Sequence, residues 1–250
     1  MNNLLLCNGH VGLDIFRWLV DHYRDDIGLV VTIGNDGIKQ AADDAGVCSL
    51  SVTTKQELLG AICESGQSYD LGILIWWPWI IDADLIGLPR NGFINTHPSL
   101  LPFNRGKHYN FWALVEQAPF GVSLHFVENG IDCGDVVAQL PVPYGWEDNG
   151  ATLFAAASRA MIDLFKDAYP RIREGRVSRK PQDLTKGSFH RSSELEEASR
   201  IDLDSHYLAR DLLNLLRART FPGHPACWFE ENGQTFEVKV EIRRKIREAV

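Results

Sequence analysis

The sequence predicts an α/β protein built on a mostly parallel, Rossmann-like sheet, with a small helix-plus-hairpin unit toward its C-terminal end. Three observations carry this. Through the first half of the chain, short and nearly continuous apolar runs alternate with amphipathic stretches; fully apolar strands separated by helices belong to a parallel sheet covered on both faces. Asn8-Gly9-His10-Val11-Gly12 follows the first apolar run and opens a helical pattern, as a tight strand-to-helix turn does. Far downstream, Asn232-Gly233 lies between two β-like segments, a strong signal for a two-residue hairpin turn.

Taken in order, residues 4–7, 29–33, 48–52, 71–75 and 93–94 read as strands, with helices at 13–23, 55–64 and 82–86 between them. A loop at 98–108 leads to a helix over 109–116 and further strands at 122–126 and 136–141. Residues 152–165 have helical periodicity, preceded by a break at Asn149-Gly150. The stretch 176–186, rich in Arg, Lys, Pro and Gln, reads as the start of a second unit, which divides the chain into 1–180 and 181–250. In the smaller part, Asp202 or Asp204 is expected to cap a helix running to about Arg219, with Phe221-Pro222-Gly223 ending it. Segments 226–230 and 235–240 then form the hairpin.

Composition excludes several function classes. The 250 residues carry 33 acidic against 25 basic side chains, a formal charge of −8, which disfavours broad nucleic-acid binding. Lys239, Arg243, Arg244, Lys245 and Arg247 form the one basic run, read as a solvated charged edge. Five scattered cysteines without a C-x-x-C pair fit neither a disulfide framework nor a structural zinc site, so a reducing cytoplasm is the expected compartment. The opening residues do not resemble a signal peptide, and no apolar run is long enough to span a bilayer, so no membrane partner is expected.

Chemistry concentrates in a few segments. Asn95 and His97, two apart at the end of a predicted strand, point to the same face. A carboxamide N–H and an imidazole at a sheet's carboxyl edge suit stabilisation of a developing oxyanion; equally, both could satisfy backbone groups at a strand end. Asp132, in the glycine-punctuated stretch Glu128-Asn129-Gly130-Ile131-Asp132-Cys133-Gly134, reads either as a histidine-orienting or proton-relaying carboxylate or as ordinary turn chemistry. Trp76, Trp77, Trp79, Ile80 and Ile81 surround Pro78, and a proline-broken aromatic segment after a strand suits the wall of a pocket for a flat heteroaromatic ligand, with core packing as the alternative. Gly9 and His10 lack the spacing of a dinucleotide-binding loop and suit a turn grazing a substrate phosphate. Arg105, Lys107, His108 and Tyr109 gather cations and a phenol on one loop, either for phosphate contact or as a solvated loop. No set of residues has metal-ligand spacing.

Two of these segments carry a resemblance. Asn95-Thr96-His97-Pro98-Ser99-Leu100-Leu101-Pro102 resembles the N-x-H-P-S-L-L-P element of folate-dependent formyltransferases, a family that includes glycinamide ribonucleotide, methionyl-tRNA and sugar N-formyltransferases. Gly121-Val122-Ser123-Leu124-His125-Phe126-Val127 followed by Gly130-Ile131-Asp132-Cys133-Gly134-Asp135-Val136 resembles the family's second motif. The resemblance covers about the first two thirds of the chain. It implies the formyltransferase fold, N10-formyltetrahydrofolate as co-substrate, no metal, and Asn95, His97 and Asp132 as the catalytic trio. The folate pocket would draw on Trp76, Trp77, Trp79, Ile80 and Ile81 and on Val127, Glu128, Asn129, Gly130 and Asp132. Thr96 departs from the family's usual middle residue, with its side chain expected to point away from its two neighbours.

The C-terminal segments Gly187-Ser188-Phe189-His190-Arg191 and Leu215 to Pro222 look like the sugar N-formyltransferases, and so does the segment Asn104-Arg105-Gly106-Lys107-His108-Tyr109. That similarity implies a homodimer whose acceptor is a nucleotide-linked dideoxyamino sugar for surface polysaccharide such as O-antigen. Substrate contacts would fall on Gly9, His10, Arg105, Lys107, His108, Tyr109, Arg191, Arg219 and Phe221. A helix and hairpin are a small appendage compared with the barrel expected for tRNA binding. A formyltetrahydrofolate hydrolase, a tRNA or ribonucleotide formyltransferase and a non-catalytic folate- or nucleotide-binding module are the alternative readings.

Overall fold

The computed structural model describes residues 1–34 and 36–245, so Arg247 of the basic run lies outside the described residues. In chain order the elements are β1 Asn3–Cys7, α1 Gly9–Tyr23, β2 Ile27–Ile33, α2 Gly37–Ala45, β3 Ser49–Val52, α3 Lys55–Glu64, β4 Leu71–Ile75, α4 Ala83–Ile86 and β5 Phe93–His97. Then come β6 Arg105–Gly106, α5 Tyr109–Val115, β7 Gly121–Phe126, β8 Val136–Pro141 and α6 Gly150–Arg173. The chain closes with β9 Phe189–His190, α7 Glu194–Ala198, α8 Ala209–Ala218, β10 Cys227–Glu231 and β11 Gln234–Val238. Packing groups the chain into two compact units. One compact unit comprises Met1–His97, Val122–Leu140 and Arg159–Gln182; the other comprises Pro98–Gly121, Pro141–Ser158 and Asp183–Val250.

The first unit holds the predicted sheet. Its seven strands run in the order β3-β2-β1-β4-β5-β7-β8. β1, β2, β3, β4 and β5 pair in parallel, and β7 joins β5 antiparallel. The order reverses between β1 and β4, the switch point at which such sheets place ligands beyond the strands' carboxyl ends. β1 and β4 are buried at every position, as continuous apolar strings require. On one face Leu4, Leu6, Leu29, Val31, Leu74 and Phe93 form a core with Leu58 and Ile62 of α3. Gly72 lets Phe93 lie flat there, since a Cβ on it would stand 2.3 Å from that ring. α1 buries Val11, Ile15, Phe16 and Leu19, and its Trp18 meets Phe165 and Tyr169 of α6 edge-on.

Several boundaries depart from expectation. α2 is an addition to the expected elements: Asp36 caps it by accepting from the Ile38 and Lys39 N–H groups, and Gly46 ends it in the left-handed region. α6 runs past residue 165 to Arg173 and through Pro170. Phe165, Ala168, Tyr169 and Ile172 are all buried, and that stripe at i, i+3, i+4 and i+7 outweighs one missing backbone donor. β5 extends to His97 rather than stopping at Ile94, because β7 pairs with it through Ser123.

In the second unit the expected cap is corrected. Asp202 accepts from the Asp204 N–H and the Ser205 hydroxyl, forming a turn of its own, and α8 starts only at Ala209 without a side-chain cap. The hairpin is as expected: β10 and β11 pair antiparallel about Asn232 and Gly233. Both turn residues have positive φ, as a type I′ turn demands. The short strands β6 and β9 pair in parallel.

Candidate functional site

The site begins with strand alternation. Asn95 and His97 leave the same face of β5, and across the antiparallel ladder they stand opposite His125 and Ser123 of β7. Four polar side chains therefore share one patch at the carboxyl end of β5. Thr96 faces away, as expected: it is buried and its hydroxyl accepts the Trp76 N–H at 3.0 Å. That bond ties the end of β4, where Trp76 takes a left-handed φ of 55°, to β5.

Asp132 comes to this patch from the loop after β7. Its carboxylate directs one oxygen at each imidazole, Oδ2 at 3.4 Å from His97 Nδ1 and Oδ1 at 3.5 Å from His125 Nε2. The Asn95 amide donates to His125 Nε2 at 3.2 Å and lies 3.5 Å from Asp132 Oδ1. A carbonyl only accepts, so His125 Nδ1 carries its proton toward the Phe126 carbonyl at 2.8 Å. Nε2, on the other side of the ring, then faces Asn95. The side chains of His97, His125 and Asp132 are 6%, 2% and 13% exposed, a setting where hydrogen bonds and charges act more strongly than in water. The trio thus converges, and His125 joins it. His125 lies inside the second motif, and its placement opposite Asn95 follows only once β5 and β7 pair.

Other candidates in this unit divide by burial. Trp77 and Ile81 belong to the sheet's core cluster, and Trp79 packs against it edge-on to Trp77 at 5.2 Å. Trp76 is half-buried and Ile80 is exposed. On the Asp132 loop Val127 is half-buried, while Glu128, Asn129 and Gly130 are exposed. Gly9 opens α1 at a φ of +64°, which favours glycine, and His10 beside it is exposed.

The remaining candidates lie in the second unit. Arg105 sits in β6, with its Nε buried and without a hydrogen-bond partner. Left-handed backbone at Asn104, Gly106 and His108 turns this loop sharply, the kind of conformation that persists where surrounding structure holds it. The hold is visible. His190 stacks on Trp112 at 3.7 Å and sits between Glu116 at 2.6 Å and Glu194 at 3.1 Å. Asn104 also donates to Glu116 at 2.9 Å. Burial, then Arg219 and Lys107, lower the His108 pKa, which keeps this imidazole neutral among cations. Burial pushes the Tyr109 phenol up, so it stays a hydroxyl. Arg219 donates to Ser199 Oγ at 2.9 Å, and the Phe221 ring packs between Phe154 and His224. Arg191 is exposed. Among the described residues no group of three or more His, Cys, Asp or Glu side chains could hold a metal ion, and no helix is long and apolar enough to cross a membrane.

Comparison with known proteins accords with this geometry. A family model described as formyl transferase matches residues 36–163, half of the chain and all three residues of the trio. The chain belongs to the formyl transferase family. A second model, the N-formyltransferase dimerization C-terminal domain, matches residues 194–244. Methionyl-tRNA formyltransferase from Listeria monocytogenes is 32% identical over 129 residues, 51% of this chain and 41% of that protein. The match therefore spans under half the length of that relative. Among solved structures, a sugar N-formyltransferase from a Shewanella species has the same fold, with a TM-score of 0.81 at 20% identity over 98% of this chain and 99% of that one. The formyltransferase PseJ from Anoxybacillus kamchatkensis, solved with UDP-4,6-dideoxy-4-formamido-L-AltNAc and tetrahydrofolate, is 25% identical with a TM-score of 0.59, covering 79% of this chain and 89% of that one.

Proposed function

We propose that this formyl transferase moves a formyl group from N10-formyltetrahydrofolate to the amine of a nucleotide-linked dideoxyamino sugar. The observation that carries the reading is the convergence of Asn95, His97 and Asp132 from segments 37 residues apart onto one face of the sheet. The folate supplies the formyl group, and the site's donor set suits it. When a neutral amine adds to the formyl carbon, negative charge grows on the formyl oxygen. The Asn95 amide and a protonated His97 donate to that oxygen from fixed positions. Asp132 stabilises the imidazolium charge of His97 and accepts the proton that the amine loses on its way to N10. Within the folate pocket, Trp76, Trp79, Ile80 and the loop from Val127 through Glu128, Asn129 and Gly130 to Asp132 are the proposed contacts. Trp77 and Ile81 support them from the core.

For the acceptor, the second unit offers diphosphate chemistry. Arg105 holds a buried, unpartnered Nε, and Lys107 stands two residues on, beside a neutral His108 and a phenol able to hydrogen-bond a sugar. Arg191, Arg219 and Phe221 are assigned to the nucleotide and Gly9 and His10 to a phosphate. The PseJ structure, with its UDP-linked formamido sugar and tetrahydrofolate, supports the same pairing of substrates. The match over residues 194–244 supports a homodimer, and surface polysaccharide such as O-antigen is the proposed destination of the product.

The acceptor is tested by supplying N10-formyltetrahydrofolate with a panel of amino-sugar nucleotides, charged initiator tRNA, an amino-bearing ribonucleotide, or buffer alone, and following formyl transfer by mass. Formylation of a sugar nucleotide is expected. Efficient transfer to tRNA or to the ribonucleotide, with every sugar nucleotide inert, overturns the acceptor; loss of the formyl group to water at the same rate in every mixture makes the protein a hydrolase. tRNA turnover would also fall steeply with salt, because phosphate-backbone binding releases counterions.

A further inference from the structure

The segment that follows α6 folds back onto the Asp132 loop, and we infer that its Gln182 is a positioning residue for the Asp132 carboxylate. Lys180 and Val136 exchange both backbone hydrogen bonds, at 2.8 and 3.0 Å, as an antiparallel bridge. Continued by two residues, that register sets Gln182 opposite Gly134. There the bonding passes to the side chain: Gln182 Nε2 donates to the Gly134 carbonyl at 2.7 Å and to the Asp132 carbonyl at 3.0 Å. Pro181, between the two, has no N–H to offer.

Asp132 needs such a hold. Its φ is +51°, a left-handed conformation that side-chain-bearing residues adopt with strain and keep only where surroundings over-determine it. The loop between β7 and β8 has no regular ladder along its length. Its base is closed by the Phe126 N–H donating to the Asp135 carbonyl at 2.9 Å. Gly134 is pressed so close to β7 that a Cβ would stand 2.0 Å from the Phe126 oxygen. One carboxamide, with two hydrogens for two carbonyls, grips the peptide that carries Asp132 and the peptide two residues on. A glutamate in its place has no hydrogen to donate when ionised, and an asparagine is one methylene short. Arg179, stacked 3.7 Å over the Phe126 ring, anchors the start of the same segment. Because the Cα–Cβ bond of Asp132 turns with its backbone, releasing its carbonyl swings the carboxylate off His97 and His125.

This inference rests on the reading of Asp132 given above, and the test separates the two. Gln182→Met keeps the length of the side chain without its N–H groups, and Gln182→Ala lets water reach both carbonyls. Each is measured alone and with Asp132→Asn, for kcat and KM with N10-formyltetrahydrofolate and a UDP-linked 4-amino-4,6-dideoxysugar, and for Tm. Alone, each is expected to lower kcat about 10- to 30-fold, as a sub-ångström misplacement does, with KM within about twofold. In the Asp132→Asn background the same substitutions are expected to change kcat less than about twofold, since coupled residues are not additive. Wild-type kcat in folded single variants overturns the inference. So does an undiminished loss in the Asp132→Asn background, which marks Gln182 as structural only. Full activity of Asp132→Asn by itself instead overturns the reading of the site.

Discussion

Replacing Asp132 with asparagine removes one charge and keeps the shape, so its effect can be worked from distances. The carboxylate lies 3.4 Å from His97 Nδ1 and its side chain is 13% exposed. At an effective dielectric constant of about 20, an imidazolium at that separation gains about 5 kcal/mol from the charge. A neutral amide can still accept a hydrogen bond and recovers about 1 kcal/mol of that. About 3–4 kcal/mol of stabilisation is therefore lost in the state where His97 carries charge, which is a fall in kcat of about two to three orders of magnitude. KM for the folate should move less than about threefold, because the substitution keeps the shape of the side chain. The assay is formyl transfer followed by mass under single-turnover conditions, with Tm measured alongside. A variant that is less stable yet transfers formyl at the wild-type rate would refute the electrostatic argument and leave Asp132 as a turn residue.

Two further predictions concern stability. Trp77 lies in the sheet's core cluster, so Trp77→Ala should cost about 3–5 kcal/mol in urea unfolding; unchanged stability with weakened folate binding would instead place its ring in the ligand pocket. For Asp26, burial opposes ionisation, but hydrogen bonds from Arg173, the Met1 amino group and Tyr169 outweigh it and hold the carboxyl below its ordinary value of 3.8. A depressed carboxyl contributes stability above its unfolded pKa and loses it as the pH falls through the folded one. Asp26→Asn should accordingly lower stability by about 2 kcal/mol at neutral pH, discounted for the partly exposed Arg173, and the gap to wild type should close only at a pH below the depressed folded pKa, itself below 3.8. A gap that stays constant down to that pH would exclude the ion pair as its source.

What the sequence determined by itself was the architecture and the residues that make up the candidate site. Continuous apolar runs require strands buried on both faces, as β1 and β4 are, and their alternation with helices set the parallel pairing of β1 to β4. The pair Asn95 and His97 was legible because alternation in an extended segment is a local rule, and Asn232-Gly233 because its turn type depends on two residues. Boundaries set by distant contacts were not legible. β5 reaches His97 because β7 pairs with it, and α6 crosses Pro170 because Phe165, Ala168, Tyr169 and Ile172 are buried. The aromatic segment divided for the same reason: Trp77 and Ile81 look no different from Trp76 and Ile80 in sequence, and only packing sends the first two into the core. Tertiary structure alone also decided the company Asp132 keeps. His125 reaches it through an antiparallel pairing that closes between strands, and Gln182 through a segment 50 residues away. Side-chain period is a property of a few consecutive residues; which groups share a charge is a property of the folded sheet.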